Sequence, residues 1–131
     1  IDLRWLAEKP LSAGETFDYA LQSFPILVKN PGELGFPAEN EDNLPARRSA
    51  VARDLNGKML FIVASSGWFT LHQFSAWLTG SDLELELAVN LDGGPSSGML
   101  IRQANGQGDL LAGSVEPRVP LPLAVLVVTR E

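Results

Sequence analysis

Ala88-Val89-Asn90-Leu91-Asp92-Gly93-Gly94-Pro95-Ser96-Ser97-Gly98 starts as an apolar run and breaks into a carboxylate, two glycines, a proline and two hydroxyls. Such a stretch reads as a buried strand that dissolves into a polar turn. A rigid strand end fixes position, and small residues after it free backbone amides, so Asp92 is the leading candidate for chemistry. The glycines add backbone conformations closed to other residues and room for close approach. An Asp-Gly-Gly run is also ordinary hairpin chemistry, with the carboxylate bonding its own backbone in an Asx-turn. Both readings stand on the residues alone.

Working outward, Leu83 to Leu87 alternates strictly and runs into the strand, whose firmest part is Leu87 to Leu91. Beyond the turn, Met99 to Arg102 is expected as the partner in a hairpin, Gln103 to Gly108 as a turn, and Leu110-Leu111 as a short strand. Pro117, Pro120 and Pro122 keep the next stretch extended, and Leu123 to Thr129 reads as a final buried strand. Upstream, Thr70 is placed to cap a helix to about Leu78 with Leu71, Phe74, Trp77 and Leu78 facing inward. Ser65 to Phe69 reads as a turn, and Met59 to Ala64 as a strand buried on both faces. Asp54-Leu55-Asn56-Gly57 joins it to a strand at Ser49 to Ala52, with Asn-Gly the strongest hairpin signal in the chain.

Asn30 to Pro45 holds three Pro, two Gly, three Glu, one Asp and three Asn, a long polar loop inside one domain. Pro25 to Lys29 is a short strand, Asp18 to Gln22 a single helical turn, and Ile1 to Leu6 a loosely alternating strand closed by a turn at Pro10, Gly14 and Glu15. Many strands and few helices in mixed order predict an α+β fold. The expected architecture is a single domain over residues 1–131: a mixed, mostly antiparallel sheet with one main helix and a few short helical turns.

Composition narrows the function. With 131 residues, 45% of them hydrophobic, the chain can bury a substantial core. Its net charge of -6 is spread out, and no Lys/Arg run with interleaved aromatics marks a nucleic-acid footprint. Cysteine is absent, which removes disulfides, thiolate nucleophiles and Cys-ligated metals. A lone histidine, His72, excludes a multi-His centre within this chain. Asp92 with Asn90 and backbone oxygens is thin ligation for calcium, so neither a metal nor a cofactor is expected. No window reaches the roughly 18 apolar residues of a membrane span.

Arg47 and Arg48, between the flexible loop and a strand, are placed to hold a phosphate or carboxylate in bidentate fashion, or simply to balance an acidic surface. Alternation puts Arg48 on the face of Ala50, and Arg47 on the face of Ser49 and Val51. Ser96 and Ser97 lack the spacing of a nucleophile elbow and read as hydrogen-bonding groups. His72 is expected off the helix's inner face and solvated. Trp68 and Phe69 either stack on a sugar ring or cover the sheet edge.

Ala88-Val89-Asn90-Leu91-Asp92-Gly93-Gly94-Pro95-Ser96-Ser97 resembles the A-L-N-L-D-G-G-x-S-S signature of the phosphodiester glycosidase family. Leu21 to Val28 resembles its L-Q-x-x-P-x-L-V segment. Arg48-Ser49-Ala50-Val51-Ala52 resembles its R-T-A-I-G strand, followed by the Asn56-Gly57-Lys58 turn, and Phe69 to Leu78 resembles the helix before the signature. The resemblance implies an α+β hydrolase of glycosyl phosphodiesters or related glycan linkages, exported from the cytoplasm, with a carbohydrate or sugar phosphate as ligand. Carried over by position, it makes Asp92 the acid/base and Arg48 the phosphate holder. Asn90, Gly93, Gly94, Ser96 and Ser97 then shape the substrate pocket. The alternative it leaves is a glycan-binding or structural domain that keeps the fold without turnover. Pro95 and Ala52 stand where many members of the family have glycine, and the family's Gly-Gly-Phe-Phe-like upstream segment has no counterpart here. The chain is therefore expected to be the C-terminal portion of the family's domain, with the missing N-terminal segment as a partner.

Overall fold

Two aspartates close strands in this chain, and the first sets the register of the sheet. The computed structural model describes residues 1–41, 43–102 and 106–112. β3 (Ala46–Asp54) and β4 (Met59–Phe69) are joined by the expected Asn-Gly turn. Asp54 Oδ1 accepts from the backbone N–H of Asn56 at 2.9 Å and of Lys58 at 2.7 Å, and Gly57 takes a φ of 80°. The side chain thus satisfies two turn amides at once, and it is buried in doing so. Arg53 then pairs with Met59 and Arg48 with Ala64.

The remaining elements are β1 (Ile26–Lys29), β2 (Glu33–Leu34), the helix α1 (Leu71–Thr79), β5 (Leu85–Asn90), and the ribbon strands β6 (Met99–Arg102) and β7 (Gly108–Ala112). Short 3-10 turns lie at Ala38–Asn40 and Gly94–Ser96. The five-stranded sheet runs β2-β1-β5-β3-β4, and every pairing is antiparallel. The α+β expectation, a mostly antiparallel sheet with one main helix and short helical turns, holds.

Ala50, Ala52 and Ala88 form a flat floor in the central strands on which α1 lies. Small side chains there let Phe74 and Leu78 pack tightly against the sheet. Thr70 accepts from the Gln73 amide at 3.2 Å, and Gln73 Oε1 accepts from the Thr70 amide at 3.1 Å, a complete capping box. The helix buries Phe74, Ser75 and Leu78 with Leu71 packed alongside, the i, i+3, i+4, i+7 stripe of one face. Trp77 stands at its margin, 49% exposed and stacked on Phe74 at 6.4 Å. The polar Ser75 takes the inner place expected of Trp77. Its hydroxyl donates to Leu27 O at 2.5 Å and accepts from the Phe36 amide at 3.1 Å, stitching helix, strand and loop together.

Several expectations are corrected. Ile1 to Leu6 forms no strand. Instead Arg53 reaches out of the sheet to Leu3 O at 3.0 Å while pairing with Glu86 through Nε at 2.6 Å, so the N-terminal segment is held by side chains and not by a ladder. Asp18 to Gln22 is irregular, and Tyr19 is almost wholly exposed; one helical turn without burial does not offset its nucleation cost. Asn30 to Pro45 is more ordered than a plain loop, because it carries β2 and a 3-10 turn. Met59 to Ala64 is half-buried instead of covered on both faces, and among the described residues β4 pairs with β3 alone.

The expected turn at Ser65 to Phe69 is an irregularity within β4. Ala46 pairs with Phe69 and Arg48 with Ala64, which leaves β4 three extra residues there. Met99 to Arg102 pairs with β7, not with β5. His72 is half-buried, its Nδ1 3.0 Å from Phe36 O and its amide donating to Glu41 Oε2 at 2.6 Å. The stretch from Pro117 and the final strand at Leu123 to Thr129 lie outside the described residues.

Candidate functional site

β5 is the central strand of the sheet, and its end carries the signature. Asn90 is tied to the chain entering β1 by three bonds. Its amide donates to Pro25 O at 2.9 Å, its Nδ2 to Phe24 O at 3.3 Å, and its carbonyl accepts from Ser23 Oγ at 2.5 Å. On the other side, the Leu91 amide donates to Ser49 O at 2.8 Å, and Ser49 Oγ donates to Asp92 O at 2.5 Å. The backbone on both sides of Asp92 is therefore fixed to the sheet. Its side chain is exposed, with Oδ1 accepting from the Gly93 amide at 2.9 Å.

The turn folds back over the start of β3. A Cβ on Gly93 would lie 2.8 Å from Arg47 O and 3.8 Å from Arg48 Cδ, so this glycine admits the neighbouring strand's backbone. Gly94 has a φ of 80° with open space beside it. The two glycines thus do different things: the first permits contact, the second permits the turn. Gly94–Ser96 is a 3-10 turn closed by the Ser97 amide on Gly94 O at 3.2 Å. Arg47 Nη1 donates to Pro95 O at 3.3 Å and holds the turn from below.

Because β5 is flanked by β1 and β3, and β6 pairs with β7, the Asp92 turn does not close a hairpin. The hairpin reading is overturned. What remains is an exposed carboxylate on a fixed strand end.

The sequence-derived site residues come together unevenly. Gly93 lies against Arg47 and Arg48, Pro95 O is bonded by Arg47, and Asp92 O by the neighbouring Ser49, while among the described residues no contact joins Gly94 to either arginine. Arg48 and Asp92 do not form an ion pair within 4.0 Å. Arg48 instead donates from Nε to Phe69 O at 2.9 Å and from Nη2 to Leu44 O at 2.8 Å, bracing the loop and the end of β4. No bond from its Nη1 is found among the described residues.

Asn90 Oδ1 and Ser97 Oγ are buried without a hydrogen-bond partner among the described residues. Buried polar atoms are nearly always paired, so these two are exceptions near the end of β5. For Ser96 the backbone places it in the 3-10 turn. Ser23 and Ser49, which lock the strand end through single hydroxyls, were not legible as site residues. Only Ser49's place next to Arg48 in a strand hinted at it. His72, expected to be solvated, is engaged with the Phe36–Glu41 loop. Among the described residues no cluster of three or more His, Asp or Glu side chains is placed to hold a metal ion, and no helix is long and apolar enough to cross a membrane.

The end of β5 and the start of β3 thus bring a carboxylate and two arginines to one edge of an antiparallel α+β sheet. Residues 3–128 match the family model described as phosphodiester glycosidase, and the chain belongs to that family. Membership points to phosphodiester glycosidase-like activity in general, on a glycan-related substrate. Searches of curated proteins and of solved structures give no match to this chain.

Proposed function

We propose that this chain is the part of a phosphodiester glycosidase that carries the acid/base, and that it hydrolyses a glycosyl phosphodiester. The observation that carries the reading is the pairing of the family match with an exposed Asp92 whose backbone is locked by Ser49 and Leu91. In the reaction, water adds to the sugar carbon as its bond to the phosphate oxygen breaks, and the electron pair leaves with that oxygen. Asp92 accepts the proton that water gives up and passes one to the departing group when the group needs it. Arg48 Nη1, with the backbone amides of the turn, meets the phosphate charge. Asn90 and Ser97 shape the pocket from behind, each with one buried oxygen that has no partner among the described residues. Gly93, Gly94 and Ser96 shape the pocket wall. Residues 1–131 act as one domain, exported from the cytoplasm as the family resemblance implies.

A second reading has its own support. Two of the donor groups of Arg48 are spent on backbone carbonyls, one in a loop and one at the end of β4, which suits a domain that binds a glycan without turning it over. One experiment separates the two. The protein is incubated with a panel of chromogenic sugar phosphodiesters, alongside Asp92→Asn and Arg48→Ala. Hydrolysis by the wild type that falls about 100-fold or more in Asp92→Asn supports the acid/base role. Binding in calorimetry without hydrolysis selects the second reading, and hydrolysis untouched by either substitution removes both residues from the mechanism.

A further inference from the structure

The face of the sheet turned away from α1 carries a cleft that the site at the end of β5 does not use. Ala50 and Ala52 are buried on the helix side, so alternation turns Ser49, Val51 and Arg53 to the opposite face. Ser49 belongs to the site through its bond to Asp92 O. Arg53, four residues further along β3 and therefore roughly 14 Å away, borders the cleft. The N-terminal segment forms the facing side and is tied down by the Arg53 bond to Leu3 O at 3.0 Å.

The cleft has a volume of about 130 Å³. Pockets for drug-sized ligands run to roughly 300 Å³ and more, whereas a cavity of about 150 Å³ holds one benzene ring. The space therefore admits one small ring. Leu87, only 3% exposed, lies at the bottom, with the half-buried Leu3 and Trp5 beside it. Lys29 Nζ stands over the Trp5 ring, 5.8 Å from its centre, and helps to hold it in place.

Polar groups make the rim, and they divide into two kinds. Arg4 and Arg53 are spent: Arg4 bonds Asp2 and Glu15, and Arg53 forks onto both oxygens of Glu86. Glu8, Lys9 and Asn30 are exposed, and among the described residues no side-chain hydrogen bond or ion pair engages them. Their backbones are nonetheless fixed. The Glu8 and Lys9 amides donate to Trp5 O at 3.1 and 2.9 Å, and the Gly32 amide donates to Lys29 O at 2.6 Å across Asn30. A carboxylate, an ammonium and an amide are thus presented at set positions around an apolar floor the size of one ring.

Charge decides which ring. In and around the cleft Asp2, Glu8, Glu15 and Glu86 balance Arg4, Lys9, Lys29 and Arg53, four of each sign. An anionic ligand would gain Lys9 but meet Glu8 and Asp2, and a cationic one the reverse, so neither gains on balance. A neutral ring with hydroxyls gains from all three free groups, since each can donate to or accept from a hydroxyl. From this we infer that the cleft is a binding site for one neutral pyranose, its C–H face on Trp5 and Leu87 and its hydroxyls at Glu8, Lys9 and Asn30. The cleft lies apart from the groups assigned to bond breaking, and the inference does not require the hydrolase reading.

The test reads binding at the tryptophans. The chain has three, Trp5, Trp68 and Trp77, hence three indole N–H signals in a nitrogen–proton correlation NMR spectrum. Trp68→Phe and Trp77→Phe, both at exposed positions, assign two of them and leave the third to Trp5. The protein is titrated with methyl glucopyranoside and methyl galactopyranoside, and with glucuronate and glucosamine as charged counterparts. The expected result is a shift of the Trp5 signal by at least one neutral glycoside, with a Kd of about 1–10 mM, while the Trp68 and Trp77 signals stay in place. Substitution at the exposed rim, Glu8→Ala or Asn30→Ala, should weaken that binding about threefold or more in at least one of the two variants. A Trp5 signal that neither glycoside moves, or that moves only together with the other two, overturns the site. So does a titration that both rim variants leave unchanged. Tighter binding of glucuronate or of glucosamine overturns the assignment to a neutral ring. None of these outcomes bears on hydrolysis at Asp92, which the chromogenic diesters report separately.

Discussion

Asp54 and Asp92 stand at strand ends, each followed shortly by glycine, and they have opposite fates. Asp54 is buried, and one of its oxygens takes two turn amides, so the carboxylate is consumed in closing the β3–β4 hairpin. Asp92 is exposed and bonds only the amide next to it, and its backbone, not its side chain, is what neighbouring residues hold. The first turn joins adjacent strands of one sheet. The second leaves the sheet altogether and leads to a separate ribbon. A carboxylate buried in closing a hairpin is held by the turn, whereas the one at a strand end fixed by others stays exposed.

The sharpest way to break this contrast is to remove each carboxylate in turn. Asp54→Ala leaves two turn amides without their acceptor and is expected to cost about 1–3 kcal/mol in urea unfolding, with the activity of the folded fraction retained. Asp92→Asn is expected to do the reverse, leaving the unfolding midpoint in place while hydrolysis falls about 100-fold or more. If Asp92→Asn destabilises as much as Asp54→Ala, the turn is structural and the contrast collapses.

The glycines of the second turn sharpen it at smaller scale. Gly93→Ala drives a methyl against Arg47 O at 2.8 Å, a backbone atom that moves only with the strand, and is expected to cost about 1–3 kcal/mol. Gly94→Ala meets nothing but keeps a φ of 80°, for an expected cost of about 1–2 kcal/mol. Denaturant curves of the two variants should therefore rank Gly93→Ala as the less stable. Equal midpoints would mean that the turn lifts off β3 without cost.

What the sequence discloses of this fold depends on whether an element is decided locally. The Asn-Gly hairpin, the Thr70 cap and the apolar strands β1, β3 and β5 are each signalled by residues within a few positions of one another, and all were legible. The partner of Met99 to Arg102 was not, because short apolar strands pair with whichever edge the topology presents. The N-terminal segment misled for a related reason: its attachment runs through Arg53 and Glu86, far along the chain. Ser75 was missed because a serine at a core position makes sense only once Leu27 O and the Phe36 amide are seen beside it. In the site, Asp92 was legible from the abrupt change of composition. That Arg48 braces two carbonyls while Arg47 touches the turn depended on a register irregularity that no local pattern announces.

The smallest effect concerns carboxylates that are spent on charge. Arg4 bonds Asp2 at 2.7 Å and Glu15 at 2.9 Å, and this hydrogen bonding holds both carboxyls below their ordinary values of 3.8 and 4.5. A depressed carboxyl contributes stability that is present above its unfolded pKa and is lost as pH falls through its folded pKa. Both pairs lie partly buried at the surface, so salt and water screen part of the gain. Arg4→Met is thus expected to melt slightly below the wild type at neutral pH, and the two melting curves should converge as pH drops through the carboxylate range. The gap at neutral pH should also shrink with added salt. Parallel curves across that range would show that Arg4 acts by packing alone, and Asp2 and Glu15 would then join Asp92 as carboxylates the fold does not use.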